Sequence, residues 1–265
     1  MGSGKLVPDI IAATTDGVVY NDQNDLTPGG ATTQVNDGWT PCRNSPTGSK
    51  AQNSIQYTTA GTQVKKWLDT DAGRFTIRRS FFAFDTSGID DDPAADDCAT
   101  AATLKIYGST YGTADIIIVK ATAPDLSTGV ATGDFNALHG WDSSFGPSDL
   151  TIYSSEVSTW STSGYNSITL NAAALSDMND LDVFKLAIIE YDHDYLDVEY
   201  DPGTSGEVNA GMYYSQGPSG KKPVISYTAG GCGYSHSIDG VSAANIGGVI
   251  GVSTANIANR SGVPT

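Results

Sequence analysis

The sequence predicts an all-β protein: an antiparallel two-sheet sandwich of the jelly-roll type, followed by a short repetitive C-terminal tail. Short segments rich in Val, Ile, Tyr, Phe and Thr recur along the chain, and clusters of Gly, Asp, Ser and Pro separate them. Helical periodicity is nearly absent. At 265 residues, the chain can bury a full core without disulfides or metal ions. We assign residues 1–228 to the sandwich and residues 229–265 to a Gly-rich joint and the tail.

Ten segments are predicted to form strands. In chain order they are residues 17–20, 54–58, 74–84, 103–107, 114–119, 150–153, 165–170, 183–189, 211–214 and 223–227. Leu104 and Ile106 alternate with polar residues, which indicates a half-buried strand. Residues 116–119 are continuously apolar, so this strand is expected to be buried on both faces. One short helix is predicted over residues 171–178, with Asn171 as its N-cap.

The charge balance argues against two classes of partner. The chain has 30 Asp and Glu against 14 Lys and Arg, which gives a formal net charge of -16. Nucleic acids and anionic membrane surfaces both require clustered Lys and Arg. Only pairs of basic residues occur, at Lys65 and Lys66, Arg78 and Arg79, and Lys221 and Lys222. No segment approaches the roughly 20 apolar residues that span a bilayer.

The cysteines and the N-terminus together predict a protein that folds in a reducing compartment. Cys42, Cys98 and Cys232 are far apart, so they form neither a CxxC motif nor a zinc signature. The odd count allows at most one internal disulfide and leaves a thiol over, and three unpaired cysteines would fit a reducing compartment. No apolar h-region follows the first residues, so we expect a chain that does not use the secretory route.

The tail contains an internal repeat. Residues 240–246 are echoed by residues 251–257, and Gly262 begins a third copy at the same offset. The apolar residues of the repeats are Val241, Ile246, Val252, Ile257 and Val263. This stripe is too narrow to bury itself within one chain, so it implies stacking on further copies or on another protein. The alternative is a disordered low-complexity tail.

Four segments resemble landmarks of one known family. Residues 78–89 (RRSFFAFDTSGI) and residues 99–107 (ATAATLKIY) resemble the signature of the DNRLRE-type β-sandwich family. Residues 163–171 and 222–228 are similar to its downstream landmarks, so the resemblance covers roughly residues 10 to 228. Members of this family look like carbohydrate-binding modules and occur in bacterial surface proteins and phage virion proteins.

Two further segments look most like the phage branch of that family, in which such sandwiches form virion appendages and decorations. They are residues 15–20 (TDGVVY) and the G-V-x-x-A-N-I repeats of the tail. The acidic insertion at residues 90–97 departs from the family pattern.

One acidic cluster is the first candidate for a calcium site. It comprises Asp192, Asp194, Asp197, Glu199 and Asp201, and residues 90–97 form a second candidate. Calcium takes six to eight oxygen ligands, which loops at the rim of a sandwich can supply. Neither segment carries the D-x-D-x-D-G loop, and a solvated acidic surface is the alternative for both. No other cofactor is expected.

Catalysis is not expected, whereas glycan binding is a second possibility. The chain has three histidines and no Gly-x-Ser-x-Gly elbow, so no serine nucleophile stands out. Glu190 ends a buried-looking strand, and a glycan-degrading enzyme would need a second carboxylate facing it across a cleft. Trp141 and Trp160 lie in polar, turn-rich contexts and are predicted to be stacking surfaces for sugars. The alternative is that each indole closes one end of the core.

Together, the resemblance and the tail predict a non-enzymatic structural virion protein, a phage head-decoration or fibre subunit assembled in the host cytoplasm. The repeats are expected to form a homo-oligomer or to dock on other virion proteins, and the family analogy suggests a trimer. The alternative is a carbohydrate-binding or adhesive module on a virion or cell surface, with a host surface glycan as its partner. A glycan-degrading enzyme is the third interpretation, and fold analogy alone does not separate these classes.

Overall fold

A mostly β fold with a large antiparallel sheet and few helices is present, as the sequence predicts. The computed structural model describes residues 5–6, 9–22, 38–68, 73–89, 98–141 and 149–230. The acidic insertion at residues 90–97 and the predicted assembly residues of the tail lie outside the described residues.

Twelve strands and two α-helices make up the described part of the chain. The strands are β1 (Lys5–Leu6), β2 (Ile10–Ile11), β3 (Gly17–Asp22), β4 (Lys50–Asn53), β5 (Tyr57–Leu68), β6 (Gly73–Asp85), β7 (Cys98–Gly112), β8 (Ile116–Lys120), β9 (Tyr165–Thr169), β10 (Val183–Glu190), β11 (Gly206–Tyr213) and β12 (Val224–Gly230). The helices are α1 (Trp39–Arg43) and α2 (Ala172–Asp180). Among these residues, no helix is long and apolar enough to cross a bilayer.

The long strand β7 connects two groups of strands. Its first part pairs with β12 on one side and with β9 on the other. Its last part pairs with β11, which continues through β5, β6 and β10 to β8. At the transition, a Cβ on Gly108 would lie 1.7 Å from the backbone oxygen of Ser161, so only glycine fits. The strand therefore holds both groups in one fixed arrangement.

Two hydrophobic clusters bury the two faces of the strands around β6, β8 and β10. Phe82 belongs to the first cluster, which also contains Leu104 of β7 and Ile225 of β12. The adjacent Phe81 belongs to the second cluster, which also contains Phe135 from a loop. Neighbouring residues of one strand enter different clusters because their side chains point to opposite faces. Burying each such phenylalanine contributes about 1.5–3 kcal/mol to stability.

The same alternation explains the continuously apolar strand β8. Ile116 and Ile118 lie in the first cluster, whereas Ile117 and Val119 lie in the second. The prediction that this strand is buried on both faces is confirmed.

Local signals predicted most elements correctly. The predicted helix is α2, and the Asn171 side chain accepts a hydrogen bond from the backbone N–H of Ala174. Residues 150–153 are not a strand and contribute only an isolated bridge at Ile152. Strand β12 continues to Gly230, two residues beyond the predicted end of the body.

The cysteine prediction is wrong in one respect. Cys98, the first residue of β7, is disulfide-bonded, so the three thiols are not all unpaired. Cys42 is a free, buried thiol, and burial raises its pKa. The third cysteine, Cys232, lies outside the described residues.

Candidate ligand-binding surface

The predicted calcium ligands at residues 192–201 are engaged by protein cations and an indole. Glu199 and Asp201 bind the Lys66 ammonium, at 3.3 Å and 2.9 Å. Asp197 accepts a hydrogen bond from the Trp39 indole N–H at 3.0 Å. Among the described residues, no group of three or more His, Cys, Asp or Glu side chains could hold a metal ion. Ion pairs therefore engage part of the negative charge of the segment, and the calcium site stays a prediction.

Asp194, the central residue of that segment, is buried in an arginine network. Its carboxylate accepts two hydrogen bonds from Arg79, at 2.7 Å and 2.8 Å. The remaining N–H groups of Arg79 donate to the Phe135 and Arg43 carbonyl oxygens and to the Asn136 side chain. All five donors of this guanidinium are therefore used within the protein.

Of the two tryptophans predicted to stack on sugars, Trp160 is buried, whereas Trp141 is half-buried. Trp160 is buried in the first cluster, and its indole N–H donates to the Gly211 carbonyl at 2.9 Å. The Trp141 ring lies 4.1 Å from the guanidinium carbon of Arg79 and 4.9 Å from that of Arg43. Trp160 does not offer an exposed ring face, and Trp141 covers the arginine network.

Glu190 is a turn cap. Its buried carboxylate accepts hydrogen bonds from the backbone N–H groups of Asp192, His193 and Asp194, which begin the π-helical turn Tyr191–Tyr195. Burial raises the pKa of Glu190 to about 8. A carboxylate that is buried and bonded to its own backbone does not face a substrate cleft.

A row of four tyrosines, exposed at its two ends and half-buried in its middle, crosses four neighbouring strands. Tyr165 of β9 pairs with Tyr107 of β7, and Tyr213 of β11 pairs with Tyr57 of β5. The pairing of Met212 with Gly108 places Tyr213 beside Tyr107. We call these four residues the tyrosine row.

The rings of the tyrosine row are in contact with one another. Successive ring centroids are separated by 5.2 Å from Tyr165 to Tyr107, 5.5 Å from Tyr107 to Tyr213, and 5.3 Å from Tyr213 to Tyr57. Tyr107 is edge-on to both of its neighbours, whereas the planes of Tyr213 and Tyr57 differ by 35°. The end residues are the most accessible, with 39% of Tyr165 and 51% of Tyr57 exposed.

Hydrogen bonds hold three of the four tyrosines in place, namely Tyr107, Tyr165 and Tyr213. The Tyr107 hydroxyl donates to the Ser163 carbonyl at 2.6 Å, and the Tyr165 hydroxyl donates to the Lys222 carbonyl at 3.1 Å. The Lys221 ammonium donates to the Tyr213 hydroxyl at 3.1 Å. The rings are therefore held in place before any ligand binds, which lowers the entropy cost of binding.

A single sequence signal pointed to this surface. Tyr107 continues the outward-facing alternation of Thr103 and Lys105, so its exposure follows from the pattern. The pairing that aligns it with Tyr165 and Tyr213 joins residues far apart in the chain. The alignment of the four tyrosines could therefore not be predicted from the sequence.

A scan of the chain against protein-family models finds no match. A search of the curated proteins finds no match either.

Proposed function

We propose that this protein is a non-catalytic β-sandwich module that binds a glycan chain through the tyrosine row. The sandwich arrangement is supported by the first hydrophobic cluster. It joins Phe82 and Phe184 of β6 and β10 to Leu104, Ile168 and Ile225 of β7, β9 and β12. A core made by two groups of strands is typical of this architecture.

The tyrosine row carries the proposal. Tyrosine combines a rigid apolar ring with a hydroxyl group, so it contacts both the apolar faces and the hydroxyl groups of a sugar. Four rings in contact across adjacent strands form an extended surface, which suits a chain of sugars better than a single small molecule. The Tyr57 hydroxyl has no hydrogen-bond partner among the described residues, so it is available to a ligand.

We further propose that the module is a subunit of a phage virion, in a head decoration or a fibre. The 11-residue repeat of the tail and the resemblance to the phage branch of the DNRLRE-type family support this context. In this proposal the repeats assemble the chain into a trimer or dock it on other virion proteins. The net charge of -16 would keep closely displayed copies apart.

Binding of the full chain to immobilised polysaccharides tests the first proposal. We expect Tyr57→Ala and Tyr165→Ala each to weaken retention severalfold, because each removes an exposed ring. Tyr111→Ala is the matched control, since Tyr111 is 48% exposed on β7 but lies outside the row. No retention of any polysaccharide, or equal weakening by the control, would contradict the proposal.

The mass of the full chain in solution, measured by light scattering, tests the assembly proposal. We expect an oligomer that dissociates when Val252 and Ile257 are both replaced by Asp, because charges disrupt an apolar contact. Replacing Ser253 and Thr254 by Asp adds the same charge as a control. A monomeric parent chain would contradict self-assembly and leave docking on another virion protein as the tail's role.

A further inference from the structure

Lys221 places a positive charge at the centre of the tyrosine row. It ends the 3₁₀ turn Ser219–Lys221, which follows β11. Its Nζ atom lies 4.5 Å from the ring centroid of Tyr213 and 4.8 Å from that of Tyr107. The hydrogen bond to the Tyr213 hydroxyl raises the pKa of Lys221, so the ammonium stays charged at all ordinary pH values.

Among the described residues, this ammonium is one of several without a carboxylate partner, as are those of Lys50 and Lys105. Arg79, Lys66 and Lys120 each form an ion pair with a carboxylate, as do most basic residues of the described chain. Lys221 contacts only phenol groups among the described residues. Because the ammonium has three N–H donors and one is used by Tyr213, two remain for a ligand.

The Tyr165 end of the row differs in charge from the centre of the row, where Lys221 lies. Burial and the nearby Asp9 carboxylate raise the pKa of Tyr165, so a negative charge lies at that end. Asp9 itself accepts a hydrogen bond from the Ser226 hydroxyl. The cation therefore favours an anionic group over Tyr107, Tyr213 and Tyr57, whereas the Tyr165 end favours a neutral sugar.

We propose that the tyrosine row recognises acidic polysaccharides, with the carboxylate of a uronic acid residue bound by the Lys221 ammonium. This inference rests on the proposed glycan-binding function and specifies its ligand class. An ammonium–carboxylate hydrogen bond is roughly twice as strong as a neutral one. In a chain of net charge -16, a cation without a carboxylate partner gives this surface a local preference that the rest of the molecule opposes.

The test compares each acidic polymer with a neutral polymer of the same backbone. Polygalacturonate, alginate and hyaluronan are immobilised beside their carboxyl-reduced forms, and retention of the full chain is measured at low and high ionic strength. We expect at least one acidic polymer to be retained about fivefold or more above its reduced form, and salt to remove the difference.

Lys221→Met keeps the apolar stem of the side chain and removes the charge, so we expect it to abolish the difference between the acidic and reduced polymers. Lys50→Met is the matched control, because its ammonium also lies over a tyrosine ring, 5.7 Å from Tyr20, outside the row. Asp9→Asn should increase retention of the acidic polymer. Thermal unfolding of each variant separates recognition from loss of structure.

Equal retention of acidic and reduced polymers by the parent chain would overturn the acidic preference and leave the glycan-binding proposal in place. An unchanged acidic preference in a folded Lys221→Met variant would overturn the role of Lys221. If neither the acidic, the reduced nor any other neutral polysaccharide is retained, both proposals are wrong.

Discussion

The arginine network and the tyrosine row are both dense clusters of aromatic and cationic side chains, yet they differ in how their polar groups are used. All five N–H groups of Arg79 donate hydrogen bonds within the chain, and its guanidinium lies 4.2 Å from the Phe135 ring centroid. Lys221 uses one of its three donors within the described residues, and the neighbouring rings of Tyr107 and Tyr213 are half-buried. The full use of the Arg79 donors is typical of a structural cluster, whereas the donors left on Lys221 are what the proposed ligand would use.

The largest expected effect comes from breaking the arginine network. Arg79→Met leaves the buried Asp194 carboxylate without its main cation, so we expect a loss of about 3–5 kcal/mol in the free energy of unfolding. Urea denaturation measures this loss. The control is Lys185→Met, which removes an ion pair with an exposed Asp125 and should cost less than about 1 kcal/mol. Similar losses in both variants would contradict the structural role of the network.

A second prediction concerns Asp16, a buried acid that forms no ion pair within the described residues. Burial raises its pKa to about 7, although hydrogen bonds from the Ser215 backbone and hydroxyl groups act in the opposite direction. Between about pH 4, the usual value for an unfolded Asp, and about pH 7, the folded protein keeps a proton that the unfolded chain has released. This contribution to stability is complete below pH 4 and is lost as the pH rises through 7.

Asp16→Asn tests this sign, because the amide imitates the neutral acid at every pH. We expect the variant to match the parent chain near pH 3 and to be more stable near pH 8, by on the order of 4 kcal/mol, because each pKa unit corresponds to about 1.4 kcal/mol. Urea unfolding at both pH values measures the difference. If the difference between the two proteins does not change with pH, the Asp16 acid does not titrate in this range.

A third prediction concerns the backbone on which the tyrosine row is built. Gly108→Ala introduces a Cβ that would collide with the Ser161 carbonyl, so we expect a loss of about 1–3 kcal/mol in stability. Gly133→Ala is the control, since a Cβ there meets nothing within 4 Å. The collision also shifts the register that aligns Tyr107 with Tyr213, so glycan retention should fall in parallel. Stability equal to that of the control would show that β7 tolerates a side chain at its transition.

The smallest expected change in stability is at the end of the row. Tyr57→Ser removes an exposed ring that belongs to neither hydrophobic cluster, so the free energy of unfolding should change by about 0.5 kcal/mol or less. Glycan retention should nevertheless fall severalfold. A variant that loses stability as strongly as Arg79→Met would remove the distinction between the two clusters.

The strands and the helix cap could be predicted because their signals are local. Leu104 and Ile106 alternate with polar residues and are fully buried, and Asn171 caps α2. The burial of Arg79 did not follow from the pattern, because Arg79 shares its face with Ile77 and Phe81 while Arg78 shares its face with the equally buried Phe82 and Phe84. The Arg79 partner Asp194 could not be predicted either, since the two residues are 115 positions apart in the chain.

The binding surface was missed for the same physical reason. Each tyrosine satisfies the β propensity of its own strand, so none of them stands out in the sequence. The row exists only because β9, β7, β11 and β5 are adjacent and in one register. The partners of the acidic segment could not be predicted either, because Lys66, Arg79 and Trp39 are more than 100 positions away from it in the chain.

The outward position of the end tyrosines has an evolutionary consequence. Tyr57 and Tyr165 are exposed and belong to neither apolar cluster, whereas the arginine network and the two clusters are buried. Substitutions at these two positions are therefore expected to leave the fold and its stability nearly unchanged. If the row binds glycans as proposed, a few substitutions at these two positions would change the ligand while the scaffold stays the same.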